Sequence, residues 1–595
     1  MKSLFILSFR FYFVFFLVIL AFCSLGVRLV HLQVINAEKY SQIANGARKN
    51  FIPLQARRGD VVDRKGNLLA TTRSVVEVGM DPHSISKEDR SKFDDLARFL
   101  DLEVGELHKA ADKLTRKSQD NGEIRNVRWV KLREEVDEKV YRDIRKLGVK
   151  GVYGNFKHSR LYPNRSLASH VLGFVNKEGT ATMGVERFAD YYLKGQDGWL
   201  ESEKDGRRRE LAHARSREIQ PVNGHDVFLT LDQRLQSAVE FEIQALVDQY
   251  NPKGATVIIS RPSDGTILAL ANYPTFDLNE FYNTKRYPIS NQRNLAITDM
   301  LEPGSTFKIV SASAVLNEGL VQTTDLFPTG LAEVNYKDRM LRLPKDSHHY
   351  DELSMEQIVV KSSNRGAAHL GLILGEERLY SYASDFGFGR VTDFGFSGEI
   401  PGTLHPVDHW DRLTITRMPM GHAISATPMQ IHFAMSVIAN KGILMKPRII
   451  DRISDDQGFN LIEYQSVAKK RVIEESVAEQ MALMLGDVVK RQGTARRAAI
   501  KGYSVGGKTG TTQKIIKGQY SHSKHVASFS GFLPLHDPEV IITVIVDEPQ
   551  LKSRVGYGGT VAAPAFKNIA QACIQYLGIR PTEYSEDWVA SSPNP

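Results

Sequence analysis

A chain of 595 residues is too long for a single hydrophobic core, so two or more domains are expected. With 42% hydrophobic and 25% charged residues it has the composition of a folded protein, which excludes a disordered or low-complexity class. The formal net charge of +8 is spread thinly and does not mark a polyanion-binding protein: the densest basic run, "EKDGRRREL" at Glu203–Leu211, carries acids beside it and reads as a solvated face. Two cysteines, Cys23 and Cys573, exclude a thiolate metal cluster, and their separate surroundings argue against a disulfide.

Between Arg10 and Arg28 the run "FYFVFFLVILAFCSLGV" carries no charge. With Leu4–Leu7 and Leu29–Val34 it reaches the roughly 20 apolar residues that span a bilayer. A cleaved signal peptide is the alternative, but "GVRLVHLQVINAEKY" continues as an apolar-patterned helix where a small-residue cleavage site would stand. The reading is an uncleaved anchor over 11–35. Lys2 and Arg10 leave residues 1–10 as a cytoplasmic stub and export the rest. No second span is expected; "VIITVIV" at Val540–Val546 is short and β-branched, like a buried strand.

Residues 36–225 mix short strands, charged helices and turn signals. "RSVVEVGMD" alternates like a strand, and "KEDRSKFDDLARFL" and "EVGELHKAADKL" have helical spacing. This predicts an elongated α+β region. "PVNGHDVFLTLDQRLQ" marks a boundary: a turn, a strand at Val227–Leu231, an N-cap at Asp232, then a helix with Leu235, Val239, Ile243 and Leu246 on one face. "GATVIISRPSDGTILALAN" is a hairpin around Pro262–Gly265. Further strands are predicted at Val526–Leu533 and Val540–Val546, and a covering helix at Pro564–Leu577. The second domain, 226–580, is thus one α/β unit whose sheet closes late in sequence. The polar tail, 581–595, is expected to be loose.

The chemistry centres on "LEPGSTFKIV" at Leu301–Val310. Pro303-Gly304 permits a turn into a helix with Ser305 in its first turn, and Lys308 shares its face. A serine hydroxyl needs a base to become a nucleophile. Lysine ordinarily titrates near 10.4, but burial lowers that value and makes the amine a base. A lone S-x-x-K is weak; "SVAK" at Ser466 supplies another. Two further elements come later in the chain, in order: "SSN" at Ser362–Asn364 and "KTGT" at Lys508–Thr511. S-x-x-K, S-x-N and K-T-G together form the signature of serine β-lactamases and penicillin-binding proteins. The main motif rival is a nucleotide site, because "GYSVGGKT" at Gly502–Thr509 fits G-x-x-x-x-G-K-T. That reading needs a helix starting at the Gly-Lys-Thr, and the stretch from Gly510 to Phe532 has no helical period. "DSHHYDE" (Asp346–Glu352) and "HSKH" (His522–His525) lack metalloprotease spacing and read as loops. "RGD" at Arg58–Asp60 carries little weight as an adhesion motif.

Beyond the three motifs, "RRGDVVDRKGNLLA" with Arg58, Gly59, Asp63, Arg64 and Gly66, "RLYPN", "MGVERFADYYLKGQDG", "EPGSTFK", "GHAISATPMQ" and "YGGTVAAPAF" resemble the blocks of class B penicillin-binding proteins over nearly the whole chain. The "SSN" form is most like the division-specific branch. The resemblance implies a multidomain α+β and α/β protein: one N-terminal membrane helix, a class B pedestal of dimerisation type over 36–225, and a penicillin-binding transpeptidase domain over 226–580. That last domain would be serine β-lactamase-like, an antiparallel sheet flanked by helices with a helical subdomain. It implies a peptidoglycan D,D-transpeptidase that needs no cofactor and no metal. By resemblance Ser305 is the nucleophile attacking D-Ala-D-Ala, Lys308 its base, Ser362 a proton relay, Asn364 a substrate or Lys308 anchor, and Lys508 a positive potential. Thr509 and Thr511 bind the terminal carboxylate, Gly510 lets the substrate backbone approach, and the backbone N–H groups of Ser305 and Thr511 form the oxyanion hole. His422 is given no catalytic role. Implied partners are stem peptides as donor and amine acceptor, β-lactams, divisome proteins, and a membrane glycosyltransferase of the SEDS (shape, elongation, division and sporulation) family; nucleic acid is not among them. The location is the bacterial inner membrane with the catalytic domain outside the cytoplasm, at the division site. Side-wall elongation is the alternative in the same class. A D,D-carboxypeptidase or β-lactam hydrolase, and a β-lactam-binding scaffold without activity, are the alternatives outside it.

Overall fold

A computed structural model describes residues 2–117, 123–204, 210–211, 217–490, 492–516, 518–551 and 555–582. Most of the basic run at Glu203–Leu211 and of the tail at 581–595 lies outside the described residues. By internal contacts the chain forms two compact units, Met1–Arg57 with Gly195–Asn223, and Arg58–Lys194 with Gly224–Pro595.

The first unit contains a helix at Lys2–Val30, a π turn at His31–Ile35 and a helix at Ala37–Arg48. Its stretch Phe9–Ile35, 27 residues of mean hydropathy 2.6, is long and apolar enough to cross a membrane and buries nothing against protein. A helix of that length spans about 40 Å, more than the ~30 Å of a bilayer core. The unit is completed by the antiparallel pairing of Gly198–Lys204 with Lys49–Leu54 and with Arg217–Ile219.

Among the described residues the second unit holds four two-stranded sheets and two large ones. One runs Asn460–Glu463, Ile450–Ser454, Asp226–Leu229, Val61–Val62, Leu68–Met80 and Val130–Val136, with Val152–Leu161 also paired to Leu68–Met80. The strand expected at Val227–Leu231 is therefore Asp226–Leu229, and it joins residues on both sides of the expected 225/226 boundary, in parallel with Val61–Val62. The "RRGDVVDRKGN" motif serves this junction. Asp63 accepts from the backbone N–H of Lys65, Asn67 and Gln233 at 2.8, 2.8 and 3.0 Å. Arg58 is buried, its guanidinium 2.7 Å from Glu186 and 2.6 Å from Asp190, while Arg160 takes the other Glu186 oxygen at 2.7 Å. An "RGD" whose arginine is so enclosed is no adhesion loop.

Around the second sheet we label strands β1 (Gly254–Ser260), β2 (Ile267–Tyr273), β3 (Gly506–Ile516), β4 (Gln519–Leu533) and β5 (Val540–Asp547). The helices are α1 (Gln233–Tyr250), α2 (Lys308–Asn317), α3 (Met355–Lys361), α4 (Asn364–Leu374), α5 (Pro428–Ala439), α6 (Glu475–Val489) and α7 (Gly558–Leu577). The order is β2-β1-β5-β4-β3, antiparallel throughout. Helix α1 starts as predicted: Asp232 caps Arg234 and Leu235 N–H at 3.0 and 3.3 Å, and Leu235, Val239, Ile243 and Leu246 are buried. Helices α1 and α7 cover one face, and α5 packs against β1, β4 and β5. β1 and β5 are buried almost end to end, as is the second half of β4, which is why they read as continuous apolar runs without alternation. "HSKH" departs from expectation: it belongs to β4, because the β3–β4 hairpin extends beyond the buried sheet and its far half carries exposed polar residues. "DSHHYDE" is a loop.

Candidate active site

Ser305 does not sit in an α-helical turn. It lies in a 3₁₀ turn, Gly304–Phe307, that feeds α2, whose first residue is Lys308. Gly304 is needed at this corner: its φ is +55°, and a Cβ there would come 2.3 Å from the Thr512 methyl. The corner is tied down by Gly304 N–H to the Gly421 carbonyl at 3.0 Å and by the Leu301–Ala426 bridge. Lys308 to Leu316 are all buried, so α2 runs through the middle of the domain and carries its lysine inside.

The "SSN" motif is the junction between α3 and α4. Ser362 ends α3 in the left-handed region, φ 60° and ψ 40°, and Ser363 is the N-cap of α4. The turn directs both Ser362 oxygens at the two motif lysines. Lys308 Nζ donates to the Ser362 carbonyl at 2.5 Å, to Ser362 Oγ at 3.2 Å and to Asn364 Oδ1 at 2.8 Å. Lys508 Nζ donates to the same Ser362 Oγ at 2.8 Å. The Ser305 hydroxyl makes no hydrogen bond among the described residues. Thus Lys308, Ser362, Asn364 and Lys508 form one connected cluster, with Ser305 a turn away on the same segment as Lys308.

Both lysines are fully buried. Burial holds the Lys308 ammonium well below the ordinary lysine value, the positive Lys508 lowers it further, and Asp346 opposes them. Burial pushes Lys508 down to about 7. Neutral pH therefore lies within reach of an amine at this cluster.

Lys508 through Thr511 lie on β3, the edge strand. The Gly-Lys-Thr is extended, with no helix after it, and this removes the nucleotide reading. Gly510 is in close contact: a Cβ would fall 2.3 Å from Ser528 Oγ and 3.2 Å from the Pro303 carbonyl. β3 thereby lies against the Ser305 corner. Thr509 Oγ1 is 3.0 Å from Thr494 Oγ1, and Thr511 Oγ1 accepts the Gly558 N–H at 3.0 Å, so both hydroxyls are engaged within the protein.

Two neighbourhoods were not legible in the motifs. Glu302 accepts from Tyr520 Oη at 3.1 Å and from Ala423 N–H at 3.2 Å, and its second oxygen stands 3.3 Å from His422 Nδ1 without hydrogen-bond geometry. Burial drives His422 down to about 4, so this approach is not an ion pair at neutral pH. Glu302, Leu301, Thr512, Lys514 and Asp547 also line a cavity of about 240 Å³ whose lining does not include Ser305, Lys308 or Lys508. The other neighbourhood is Asp346, from the "DSHHYDE" loop, which accepts from Ser363 Oγ at 2.6 Å and from the backbone N–H of Asn364. Nothing in the local spacing signals that contact, which joins a loop to a helix start.

Comparison with known proteins accords with this geometry. A family described as the penicillin binding protein transpeptidase domain matches residues 255–571, and one described as the penicillin-binding protein dimerisation domain matches residues 53–229. Stage V sporulation protein D of Bacillus subtilis is 33% identical over 95% of this chain and 85% of its own length. The peptidoglycan D,D-transpeptidase FtsI of Escherichia coli is 27% identical over 95% of this chain and 91% of its own. Among solved structures, penicillin binding protein 3 of Mycobacterium tuberculosis complexed with aztreonam superposes with a TM-score of 0.67 at 26% identity, covering 89% of this chain and 98% of that one.

Proposed function

The chain belongs to the class B penicillin-binding proteins, the peptidoglycan D,D-transpeptidases, and on that premise we propose that it cross-links stem peptides through an acyl-enzyme on Ser305. The observation that carries the reading is the single cluster in which Lys308 and Lys508 share the Ser362 hydroxyl beside the Ser305 turn.

In this mechanism the Lys308 amine takes the Ser305 proton, and Oγ attacks the carbonyl carbon between the two D-alanines. The oxyanion is held by the backbone N–H groups of Ser305 and Thr511, where each donor is worth about 100- to 1000-fold in rate. The C–N bond breaks, Ser362 passes a proton to the leaving D-alanine nitrogen, and the acyl ester remains. Asn364 holds Lys308 in place. Lys508 supplies positive potential, and Thr509 and Thr511 receive the substrate carboxylate, exchanging their present partners for it. Gly510 admits the substrate backbone along β3. An amine from a second strand then attacks the ester carbonyl, the new C–N bond forms, the C–Oγ bond breaks, and Ser305 regains its proton. β-Lactams acylate the same oxygen.

The division of labour is a pedestal over 36–225 and a transpeptidase domain over 226–580. The apolar stretch Phe9–Ile35 supports a single-pass anchor, and Lys2 and Arg10 ahead of or at its start favour a cytoplasmic N-terminus with the catalytic domain outside. The "SSN" form and the likeness to a relative named FtsI favour septal synthesis over side-wall elongation. The family resemblance of the sequence blocks implies divisome proteins and a SEDS-family glycosyltransferase as partners.

The test is intact-protein mass spectrometry of the full chain in detergent after exposure to benzylpenicillin, with Ser305→Ala as control. One stable adduct on Ser305, absent from the variant, is expected. Rapid loss of the adduct points to a hydrolase, and no adduct on folded protein removes Ser305 as the nucleophile.

A further inference from the structure

The mechanism above leaves one proton without a receiver. When the acceptor amine replaces Oγ on the acyl carbon its nitrogen must shed a proton, while Lys308 is already bonded to Ser362 and Asn364. Another base stands across the Ser305 corner, on the turn after Gly421. That turn is held against the corner: the Gly421 carbonyl accepts the Gly304 N–H at 3.0 Å, and Leu301 bridges to Ala426. His422 sits between two left-handed residues, Gly421 at φ +83° and Ala423 at φ +59°. Alanine rarely adopts that conformation, and such strain persists where the neighbours over-determine it.

Glu302 supplies that restraint. One of its oxygens accepts the Ala423 N–H at 3.2 Å and the Tyr520 O–H at 3.1 Å. The other faces His422 Nδ1 at 3.3 Å, and neither of these two buried atoms has a hydrogen-bond partner among the described residues. The Tyr520 ring lies beside the imidazole, centroids 5.8 Å apart. The far ring nitrogen, Nε2, makes no hydrogen bond among the described residues, and the His422 side chain is 25% exposed. A carboxylate, the nitrogen it faces and an open nitrogen beyond form the arrangement of a base oriented by an acid. The groups around the ring are Glu302, Tyr520 and the cations Lys308 and Arg417. Burial first, then those two cations, push His422 down to about 4. At neutral pH the ring is therefore uncharged, and with its proton on Nδ1 toward Glu302 it keeps a lone pair on Nε2.

We propose that His422 is the catalytic base of the second half-reaction, the group that takes the proton of the acceptor amine, and that Glu302 is the residue that positions it. The proposal rests on the reading of Ser305 as the acylated nucleophile. The amine enters unprotonated, and its nitrogen bonds to the ester carbonyl carbon. The proton this nitrogen must lose passes to His422 Nε2, and the resulting imidazolium points its Nδ1–H at Glu302. The C–Oγ bond breaks, Oγ takes the proton from Nε2, and an amide and a neutral imidazole remain. A weak base is enough, because an amine nitrogen becomes strongly acidic once it bonds to the acyl carbon.

The test uses the full chain in detergent, an N-acyl-D-alanyl thioester as donor and D-alanine as acceptor amine. Thiol release follows acylation, and the new amide, separated by chromatography, reports aminolysis. Benzylpenicillin acylation of the same proteins measures damage to the Ser305 corner, so each loss of aminolysis is read against it. In His422→Ala, aminolysis is expected to fall about 100- to 10,000-fold further than acylation, the range of a lost general base, and added imidazole is expected to restore part of it. Glu302→Gln keeps an acceptor for Ala423 and Tyr520 but turns an amide N–H toward Nδ1, which draws the ring proton onto Nε2. Its aminolysis is expected to fall without rescue by imidazole, because the ring still fills its place. A His422→Ala variant whose aminolysis falls no further than its acylation overturns the proposal and leaves the proton to Lys308. So does a loss that imidazole does not restore, which marks a structural turn and nothing more. If His422→Ala does not fold, His422→Gln is read in the same way. A wild-type protein that is acylated but passes no acyl group to D-alanine also overturns the proposal. One that takes no penicillin at Ser305 fails earlier, at the serine itself, and the proposal falls with that reading.

Discussion

Lys308 and Lys508 approach one hydroxyl from two elements: their Nζ atoms lie 3.2 and 2.8 Å from Ser362 Oγ, the first from α2 and the second from β3. Two ammonium ions at about 5 Å in a medium of effective dielectric near 20 repel by roughly 3 kcal/mol. Both are also stripped of water. The cluster therefore favours a state with one amine and one ammonium, and the Ser362 hydroxyl is the atom through which a proton can pass between them.

This coupling predicts a pH profile. Acylation by benzylpenicillin should rise with pH as Lys308 loses its proton. Lys508→Met removes the neighbouring positive charge that lowers Lys308, so the Lys308 affinity for its proton increases. The rising limb of the residual acylation should then move to higher pH. A limb that stays in place would mean that the two lysines titrate independently.

Burial of Lys508 also bears on stability. Its value near 7 in the folded chain is below the ordinary 10.5, so the unfolded chain binds more protons between those limits. The contribution is fully favourable above about 10.5 and is lost as pH falls to about 7, at about 1.4 kcal/mol per unit. Relative to Lys508→Met, the wild-type protein should gain stability as pH is raised from 7 to 10. Urea unfolding of both proteins at several pH values measures the difference, which cancels the groups that Lys508 does not influence; Lys308, released from part of its own depression in the variant, adds to the difference with the same sign.

At Ser362 the backbone and the hydroxyl can be tested apart. Ser362→Gly should be about 1 kcal/mol more stable than Ser362→Ala, because glycine accepts φ 60° freely. Both lack the hydroxyl, and both should acylate on the order of 100- to 10,000-fold more slowly than the wild type. Thermal unfolding and acylation rates together give the answer. Activity in either variant near the wild-type rate removes Ser362 from the proton path.

Glu186 carries a charge that only its two arginines make tolerable. Burial alone would raise its pKa, but the guanidinium groups of Arg160 and Arg58 pull it below the usual value. Glu186→Gln leaves two buried arginines facing a neutral amide, which should cost about 3–5 kcal/mol. The same stabilisation should fade on acidification as pH falls through that depressed pKa. Thermal unfolding of wild type and variant at neutral pH and at several steps below the unperturbed glutamate value of about 4.3 compares the two routes, and the difference between the proteins should shrink along those steps.

Legibility in the sequence tracks how local each cause is. Helix α1 is legible because Asp232 and the Leu235–Leu246 face specify it within one turn and one stripe. The strands β1, β2 and β5 are legible as short apolar runs with turn residues at their ends. Ser305, Lys308, Ser362, Asn364 and Lys508 stand out as an ordered set of motifs, but their spacing says nothing of who touches whom. That Lys308 bonds Ser362 and leaves the Ser305 hydroxyl free is a tertiary fact. So is the 3₁₀ form of the Ser305 turn, imposed by the Gly421 and Thr512 contacts on Gly304. "HSKH" reads as a loop because a hairpin arm beyond the core has no apolar alternation to mark it as strand.

The strand order has a consequence for the growing chain. β1 and β2 leave the ribosome early, yet β1 pairs with β5, some 280 positions later, and β3 arrives only at Gly506. A nascent chain carries Ser305, Lys308 and Ser362 for a long interval before Lys508 exists to join them. During that time the serine has no edge strand beside it, and the first hairpin offers an open edge to whatever holds the unfolded segment. On the reading of Ser305 as the nucleophile, the cluster that would activate it is complete only once Lys508 on β3 has been made.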